Sequence, residues 1–206
     1  KVSPELRVRF STSHPKDMTD DVLHAMAKYE NLCNYIHLPV QSGNSDVLKR
    51  MNRGYSREWY LQRIEAIHKI IPDCAISTDV ISGFCGETEA EHKDTLSLMD
   101  AVKYDFAYMF KYSERPKTLA ERKFEDDIPD EVKSKRLSEI IDKQLKFSLA
   151  SNKKRIGLVE KVLIEGESKR SNEHMCGRTS RNSMVVFPKG NGKKGQYVNV
   201  KITDCT

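Results

Sequence analysis

The sequence predicts an α/β unit with a parallel sheet or barrel, followed by a small all-β barrel. Three observations carry this. Over residues 1–150, short apolar runs alternate with helical patterns, four times in succession. Two of the runs, His37-Leu-Pro-Val-Gln41-Ser42-Gly43-Asn44 and Ile76-Ser-Thr-Asp79-Val-Ile81-Ser-Gly83-Phe84, end in polar residues and glycine just before a helix. That is how a parallel barrel presents side chains to a ligand. From residue 151 the helical pattern stops, and short strands punctuated by Gly, Asn and Pro take over.

In order, Leu6 to Thr12 alternates like a strand, and a helix over 19–29 follows with Thr19 as N-cap. Tyr35 to Gln41 is the second strand. Helices follow over 45–51, capped by Ser45, and over 56–71, ending before Pro72. Ala75 to Phe84 is nearly all apolar, as in a strand covered on both faces. A helix over 88–102 leads to a fourth strand, Phe106 to Tyr112. A long charged helix runs from about Pro129 to Lys154, with Val132, Leu137, Ile140, Ile141, Leu145 and Leu149 spaced as one apolar face. Four strands are predicted beyond it: Leu158–Ile164, Met175–Thr179, Met184–Phe187 and Tyr197–Ile202.

Composition is that of a globular protein, 38% hydrophobic and 32% charged over 206 residues. No run of eighteen apolar residues could form a membrane helix, and the start has no apolar signal region. Both ends fall against strand patterns and read as cut. The five cysteines, Cys33, Cys74, Cys85, Cys176 and Cys205, include no C-x-x-C or C-x-x-x-C pair. They read as scattered reduced thiols of a cytoplasmic protein. Charge is uneven: residues 151–206 carry 12 Lys/Arg against 5 Asp/Glu, while residues 1–150 carry 23 against 25. The basic tail is the place for an acidic partner.

Gln41 ends a strand and Arg53 follows a short helix, so both can reach the mouth of the sheet. An amide and a fork-shaped cation suit a ligand carrying a carboxylate or ribose. A solvated loop arginine is the plainer alternative, and spacing does not separate the two. Asp79, inside an apolar strand, must contact a ligand or cap buried backbone donors. The backbone at Ile81-Ser-Gly83-Phe84, free of bulk, suits an aromatic ring against strand amides. Gly86-Glu87-Thr88 reads as an ordinary helix start with a favourable acid. Ser11, Thr12 and Ser13 can bind sugar hydroxyls or form a turn before Pro15. His14 and His37 have no second ligand at i+3 or i+4 and read as structural. In the tail, Arg155, Lys161, Lys169, Arg170, Arg178, Arg181, Lys193 and Lys194 accompany one Phe and one Tyr. That mixture suits a folded RNA backbone better than a stacked single strand, the plainer alternative being a soluble basic surface.

His37-Leu-Pro-Val-Gln-Ser-Gly-Asn, Leu48-Lys-Arg-Met51-Asn-Arg53-Gly-Tyr55, Ser77-Thr-Asp79-Val-Ile-Ser-Gly-Phe-Cys-Gly-Glu-Thr88 and Phe110-Lys-Tyr112-Ser-Glu-Arg115-Pro-Lys-Thr118 together resemble the later half of a radical-SAM methylthiotransferase core. The tail, Val162-Leu-Ile-Glu-Gly through Cys176-Gly-Arg178-Thr to Val186-Phe187, resembles the TRAM domain of that family. Ser11-Thr-Ser-His-Pro15 with His37-Leu-Pro-Val-Gln41 is most similar to its MiaB group, which methylthiolates isopentenyladenosine beside the tRNA anticodon. Cys85 and Lys117 depart from the family's usual proline and glycine.

The resemblance implies a partial radical-SAM (βα) barrel over 1–150 and an RNA-binding TRAM barrel over 151–206. It implies S-adenosylmethionine and two 4Fe-4S clusters in the whole enzyme, all cluster ligands lying outside this chain. S-adenosylmethionine, cleaved to a 5′-deoxyadenosyl radical, would activate C2 of the adenosine, and a reductant would serve the cluster. Gln41, Arg53 and Asp79 would contact S-adenosylmethionine, with Thr12 or Ser13 near its ribose. Arg155, Lys161, Arg178, Arg181, Lys193 and Lys194 would contact tRNA. The enzyme would be a cytoplasmic monomer without membrane attachment, and this stretch alone would be inactive. Alternatives are a ribosomal-protein aspartate methylthiotransferase and a non-catalytic RNA-binding protein.

Overall fold

The computed structural model describes Ser3, Glu5–Arg9, Ser11 and residues 14–206. The α/β unit runs α1 (Asp20–Lys28), β1 (Tyr35–His37), α2 (Ser45–Arg50), α3 (Arg57–Ile70), β2 (Ala75–Ser82), α4 (Glu89–Val102), β3 (Phe106–Lys111), α5 (Leu119–Lys123) and α6 (Asp130–Lys153). The strands pair in parallel in the order β1-β2-β3. Ile36, Ile76 and Val80 pack with Leu23, Leu48, Tyr60, Ile64, Ile67, Leu98, Met99 and Ile140, so all the long helices share one face of the sheet. The opposite face is bare, as on the inner wall of a barrel.

Several ends differ from the sequence expectation for identifiable reasons. Of the first predicted strand, the described residues form only a bridge between Val8 and Leu32. Its neighbours Arg7 and Arg9 reach across to carbonyls of the C-terminal sheet instead, Arg7 to Arg178 (2.5 Å) and Lys161 (3.1 Å), Arg9 to Thr179 (3.5 Å). β1 stops at His37 because Pro39 has no N–H for the ladder; pairing resumes at Gln41, which bridges Val80. Thr19 occupies the N-cap of α1 without a side-chain cap bond. For α2 the cap is Asn44, whose side chain accepts from Asp46 (2.9 Å) and Val47 (3.0 Å), and Ser45 is the first helical residue. Ser56 and Thr88 cap α3 and α4, the latter in a capping box with Glu91.

The face α6 presents to the protein is not the apolar stripe. Its buried residues are Lys133, Arg136, Ile140 and Gln144, whereas Leu145 is 61% exposed. The helix crosses polar backbone at both ends of the sheet. Gln144 donates to the Tyr104 carbonyl (2.8 Å), and Ser82 donates to the Lys133 carbonyl (3.2 Å).

The second unit is β4 (Val159–Ser168), β5 (Ser171–Arg178), β6 (Met184–Pro188) and β7 (Tyr197–Lys201), antiparallel in the order β6-β5-β4-β7. It curls around Val162, Ile164, Met175 and Phe187. Among the described residues β6 and β7 are not paired, so the predicted barrel is an open half-barrel.

This sheet docks below the N-terminal ends of β2 and β3 through an ion cluster. Arg181 Nη1 lies 2.5 Å from the Asp73 carbonyl and 3.1 Å from Asp73 Oδ1, and Nη2 lies 2.6 Å from Asp105 Oδ1. Arg155 Nη1 joins Asp73 Oδ1 at 3.0 Å and also pairs with Glu160. Asp105 in turn accepts from Ile76 N (2.8 Å) and Ser151 Oγ (2.5 Å), so one carboxylate ties β2, α6 and the half-barrel together.

Candidate functional site

Two groups of residues converge on the sheet away from this junction. The first is the C-terminal rim. Gln41 adopts a left-handed backbone (φ 71°), an uncommon conformation for a residue with a Cβ. It is held by Gln41 N to the Asp79 carbonyl and Ile81 N to the Gln41 carbonyl, both 2.9 Å. Arg53 is brought to the same rim. Its Nη2 donates to the Pro39 carbonyl (3.3 Å) and its Nε to Tyr55 Oη (3.1 Å). Tyr55 Oη itself donates to Pro39 (3.0 Å) and Val40 (3.2 Å), and burial raises its pKa above the usual 10 despite the guanidinium beside it. His14 Nε2 meets the Arg53 carbonyl at 3.0 Å and its ring packs edge-on against Tyr55. Anchored on one side, Arg53 keeps Nη1 without a protein partner among the described residues, as does the Gln41 amide. The sequence expectation that Gln41 and Arg53 reach one mouth matches this placement. Thr12 and Ser13 lie outside the described residues.

The second group lines the bare face. Tyr35 Oη and Ser77 Oγ are 2.6 Å apart, His37 Nδ1 and Ser77 Oγ 2.8 Å, and His37 Nε2 and Asp79 Oδ1 3.5 Å. Asp79 is half-buried on this open face and caps no backbone donor among the described residues. Of the two readings its position allowed, backbone capping is not seen among the described residues, and the carboxylate faces His37. Tyr108 packs edge-on to His37 at 5.8 Å, and Phe106 edge-on to Tyr108 at 4.9 Å. Sequence reasoning left His37 and the β3 aromatics unassigned. The signal was present in the alternation of Phe106-Ala-Tyr108-Met-Phe110, which puts every ring on one face.

The Gly83 region serves a different purpose from the one its small size suggested. Gly83 has φ 72°, and a Cβ there would enter the stem of Lys133. The ammonium of Lys133 is held by both oxygens of Asp126 (2.5 and 2.6 Å), so α6 rather than a ligand ring occupies that space. Glu87 is not an exposed helix-start acid. It is 2% exposed, accepts from Gly83 N (2.6 Å) and pairs with Arg136 Nη1 (3.0 Å). Burial raises its pKa above the ordinary 4.5, against the opposing pull of Gly83 N–H and Arg136.

The six basic residues assigned to RNA divide. Arg155 and Arg181 are committed to the Asp73–Asp105 junction, which removes them from the free basic surface. Arg178 pairs with Glu165 (3.3 Å), and Lys161 lies over the Tyr197 ring at 4.7 Å. Lys193 and Lys194 are exposed in the loop before β7. Charge counting could not distinguish an arginine facing solvent from one facing a distant aspartate.

Among the described residues, no group of three or more His, Cys, Asp or Glu side chains could hold a metal ion. Cys33, Cys74 and Cys85 are buried and unpaired; burial pushes the Cys74 thiol to about 12.

Comparison with known proteins agrees with this architecture. The Radical SAM superfamily profile matches residues 1–99, and the TRAM domain profile matches residues 153–206. Similar curated proteins include the tRNA-2-methylthio-N(6)-dimethylallyladenosine synthases of Amoebophilus asiaticus, 60% identical over 207 residues, and of Christiangramia forsetii, 58% over 206. Each alignment takes in 100% of this chain and 43% of the relative. The synthase of Phocaeicola vulgatus is 54% identical over 98% of the chain and 44% of its own length. The chain thus spans less than half the length of these relatives. Among solved structures, coproporphyrinogen III oxidase (HemN) from Escherichia coli, described as a Radical SAM enzyme, matches with a TM-score of 0.59 at 14% identity, over 86% of this chain and 47% of that one. That likeness speaks to fold alone. The chain's α/β unit shares that fold, and its half-barrel is the stretch that matches the TRAM profile.

Proposed function

We propose that the protein containing this chain is a tRNA methylthiotransferase that adds a methylthio group to N6-isopentenyladenosine beside the anticodon. The observation that carries the reading is identity of 54–60% with three synthases of that name, over 98–100% of the chain and so across both units. The site chemistry fits S-adenosylmethionine. At the rim, Arg53 has an Nη1 for a carboxylate and Gln41 an amide, both unengaged among the described residues, and Asp79 offers a carboxylate to hydroxyl or ammonium donors on the same sheet. Bound next to a 4Fe-4S cluster, S-adenosylmethionine supplies a hydrogen-abstracting radical, and a further equivalent supplies the methyl group.

This chain's part is to bind and orient. Tyr55 locks the Arg53 guanidinium against the end of β1, limiting the rotamer freedom it loses on binding. His37 and Ser77 fix the Asp79 side of the bare face. No side-chain group among the described residues fits a cluster, whose ligands on this reading lie elsewhere in the protein. Lys193 and Lys194, exposed and without a carboxylate partner among the described residues, and Lys161 over the Tyr197 ring are cations of the half-barrel offered to RNA phosphates. No helix is long and apolar enough to cross a membrane. On this reading the protein works in the cytoplasm as a monomer, with a reductant serving its clusters.

The test is Arg53→Ala in the full-length enzyme. S-adenosylmethionine binding should weaken about tenfold or more, with tRNA binding within twofold of wild type. Equal loss of both would remove Arg53 from the cofactor site.

A further inference from the structure

The turn that follows β3 puts a lysine where backbone geometry favours glycine. Thr118 N donates to the Arg115 carbonyl (3.3 Å), closing a turn with Pro116 second and Lys117 third. Lys117 has φ 70°, the left-handed conformation that a type II turn requires at that place and that glycine or asparagine adopts most readily. Its N–H is held by Glu121 Oε2 (2.5 Å), while its side chain is exposed and has no partner among the described residues. Local structure gives no reason for a long cation here. A lysine held in that region calls for a use outside the turn.

The turn stands at the tips of the sheet. Tyr112 N donates to the Ser82 carbonyl (2.8 Å) at the end of the β2–β3 ladder. Helix α5, directly after the turn, packs Ala120 and Phe124 with Phe84, Val47 and Met51. Arg53 lies two residues beyond Met51, so the turn and Arg53 share one rim. Residues 113–124 carry four cations, Arg115, Lys117, Arg122 and Lys123, against Glu114 and Glu121. All four are exposed, and none forms an ion pair among the described residues. Of the acids that come next, Asp126 is engaged by Lys133 (2.5 Å), Asp127 by Gly86 N (2.6 Å) and Asp130 by Lys111 (2.7 Å). The balance of 23 Lys/Arg against 25 Asp/Glu over residues 1–150 conceals this patch.

We propose that Lys117, with Arg122 and Lys123 beside it, holds a backbone phosphate of the RNA at the rim where Gln41 and Arg53 stand. The inference rests on the tRNA reading above and adds to it a second grip, separate from the half-barrel at the foot of the sheet. A reacting nucleotide has to be presented at the tips, and each nucleotide brings one phosphate with it. An exposed ammonium on a flexible stem meets such a charge as a point, with no fixed fork to align. The cofactor's carboxylate is the less suitable occupant, because Arg53 on the same rim already matches it.

The experiment uses full-length enzyme and an isopentenylated anticodon stem-loop, with affinity measured from about 50 to 200 mM salt. Lys117→Gly and Lys117→Gln should each lower the slope of log affinity against log salt by about 0.7–0.9, the share of one phosphate. The advantage of wild type over either variant should then be about threefold greater at the low end of that range than at the high end. Lys117→Arg should keep the wild-type slope, and S-adenosylmethionine affinity should stay within twofold throughout. The Tm of Lys117→Gly should not fall, since glycine relaxes the turn. A wild-type slope in Lys117→Gln would overturn the proposal, leaving a solvated turn lysine. So would an equal loss of S-adenosylmethionine affinity, which would give the ammonium to the cofactor. If wild-type enzyme binds the stem-loop without methylthiolating it, the methylthiotransferase reading fails and the slopes still decide the grip. If it does not bind the RNA, the grip falls as well.

Discussion

Replacing Arg136 with methionine should make the stability of this chain strongly pH-dependent. In the native fold Arg136 Nη1 is 3.0 Å from Glu87 Oε2 and 2.9 Å from the Glu87 carbonyl, and both residues are buried. Removing one partner of such a pair while leaving the other charged costs about 3–5 kcal/mol. For a chain of 206 residues this corresponds to a Tm lowered by roughly 6–20 °C.

The pH sign follows from Glu87. Burial already raises its folded-state pKa above 4.5, and loss of Arg136 must raise it further. Below the unfolded pKa the carboxyl is neutral in both states and imposes no charge penalty. As pH rises through that value the unfolded chain ionises first, and stability falls until the folded pKa is passed. Urea unfolding of Arg136→Met and wild type from pH 4 to 8 should therefore show a gap that is small at pH 4 and largest near pH 7. Glu87→Gln in the same background should close most of it. A gap below 1 kcal/mol at pH 7, or one independent of pH, would refute the assignment of a buried, mutually dependent pair.

Three shorter predictions concern the other units. Asn44→Ala should destabilise by about 0.5–2 kcal/mol, and Ser45→Ala by much less, because Asn44 alone caps Asp46 N and Val47 N; thermal unfolding separates them. Arg181→Ala should loosen the half-barrel by about 1–2 kcal/mol, discounted because Asp73 is largely exposed, and should speed proteolysis between α6 and β4; an unaltered cleavage rate would count against the junction. Replacing Lys193 and Lys194 with alanine should reduce the salt slope of tRNA binding by about 1.4–1.8, and an unchanged slope would place the phosphates elsewhere.

The sequence revealed element types better than it revealed partners. All of β2, β3 and β4–β7 were legible from short apolar runs between turn residues, as were the starts of α3 and α4 near Ser56 and Thr88. Gln41 and Arg53 were legible as a pair because strand ends and short helices fix where side chains can emerge. The faces of α6 were not. Periodicity weighs apolar residues, but Lys133 and Arg136 are buried by carboxylates 7 and 49 positions away. The same limit hid the role of Arg155 and Arg181, whose aspartates lie 82 and 108 positions upstream. Asn44 and Ser45 are both good caps, and one residue of backbone geometry decided between them.

The half-barrel is fastened at the foot of the strands, and the residues proposed to receive the cofactor stand at their tips. From Asp73 to Val80, the residue Gln41 bridges, is seven positions, roughly 23 Å at a strand's rise. On the function proposed above, a nucleic acid gripped at one end and reacting at the other would have to bridge that height. Reach then becomes a criterion of selection: a hairpin too short to bring one nucleotide from the grip to the tips is rejected on length, whatever its bases.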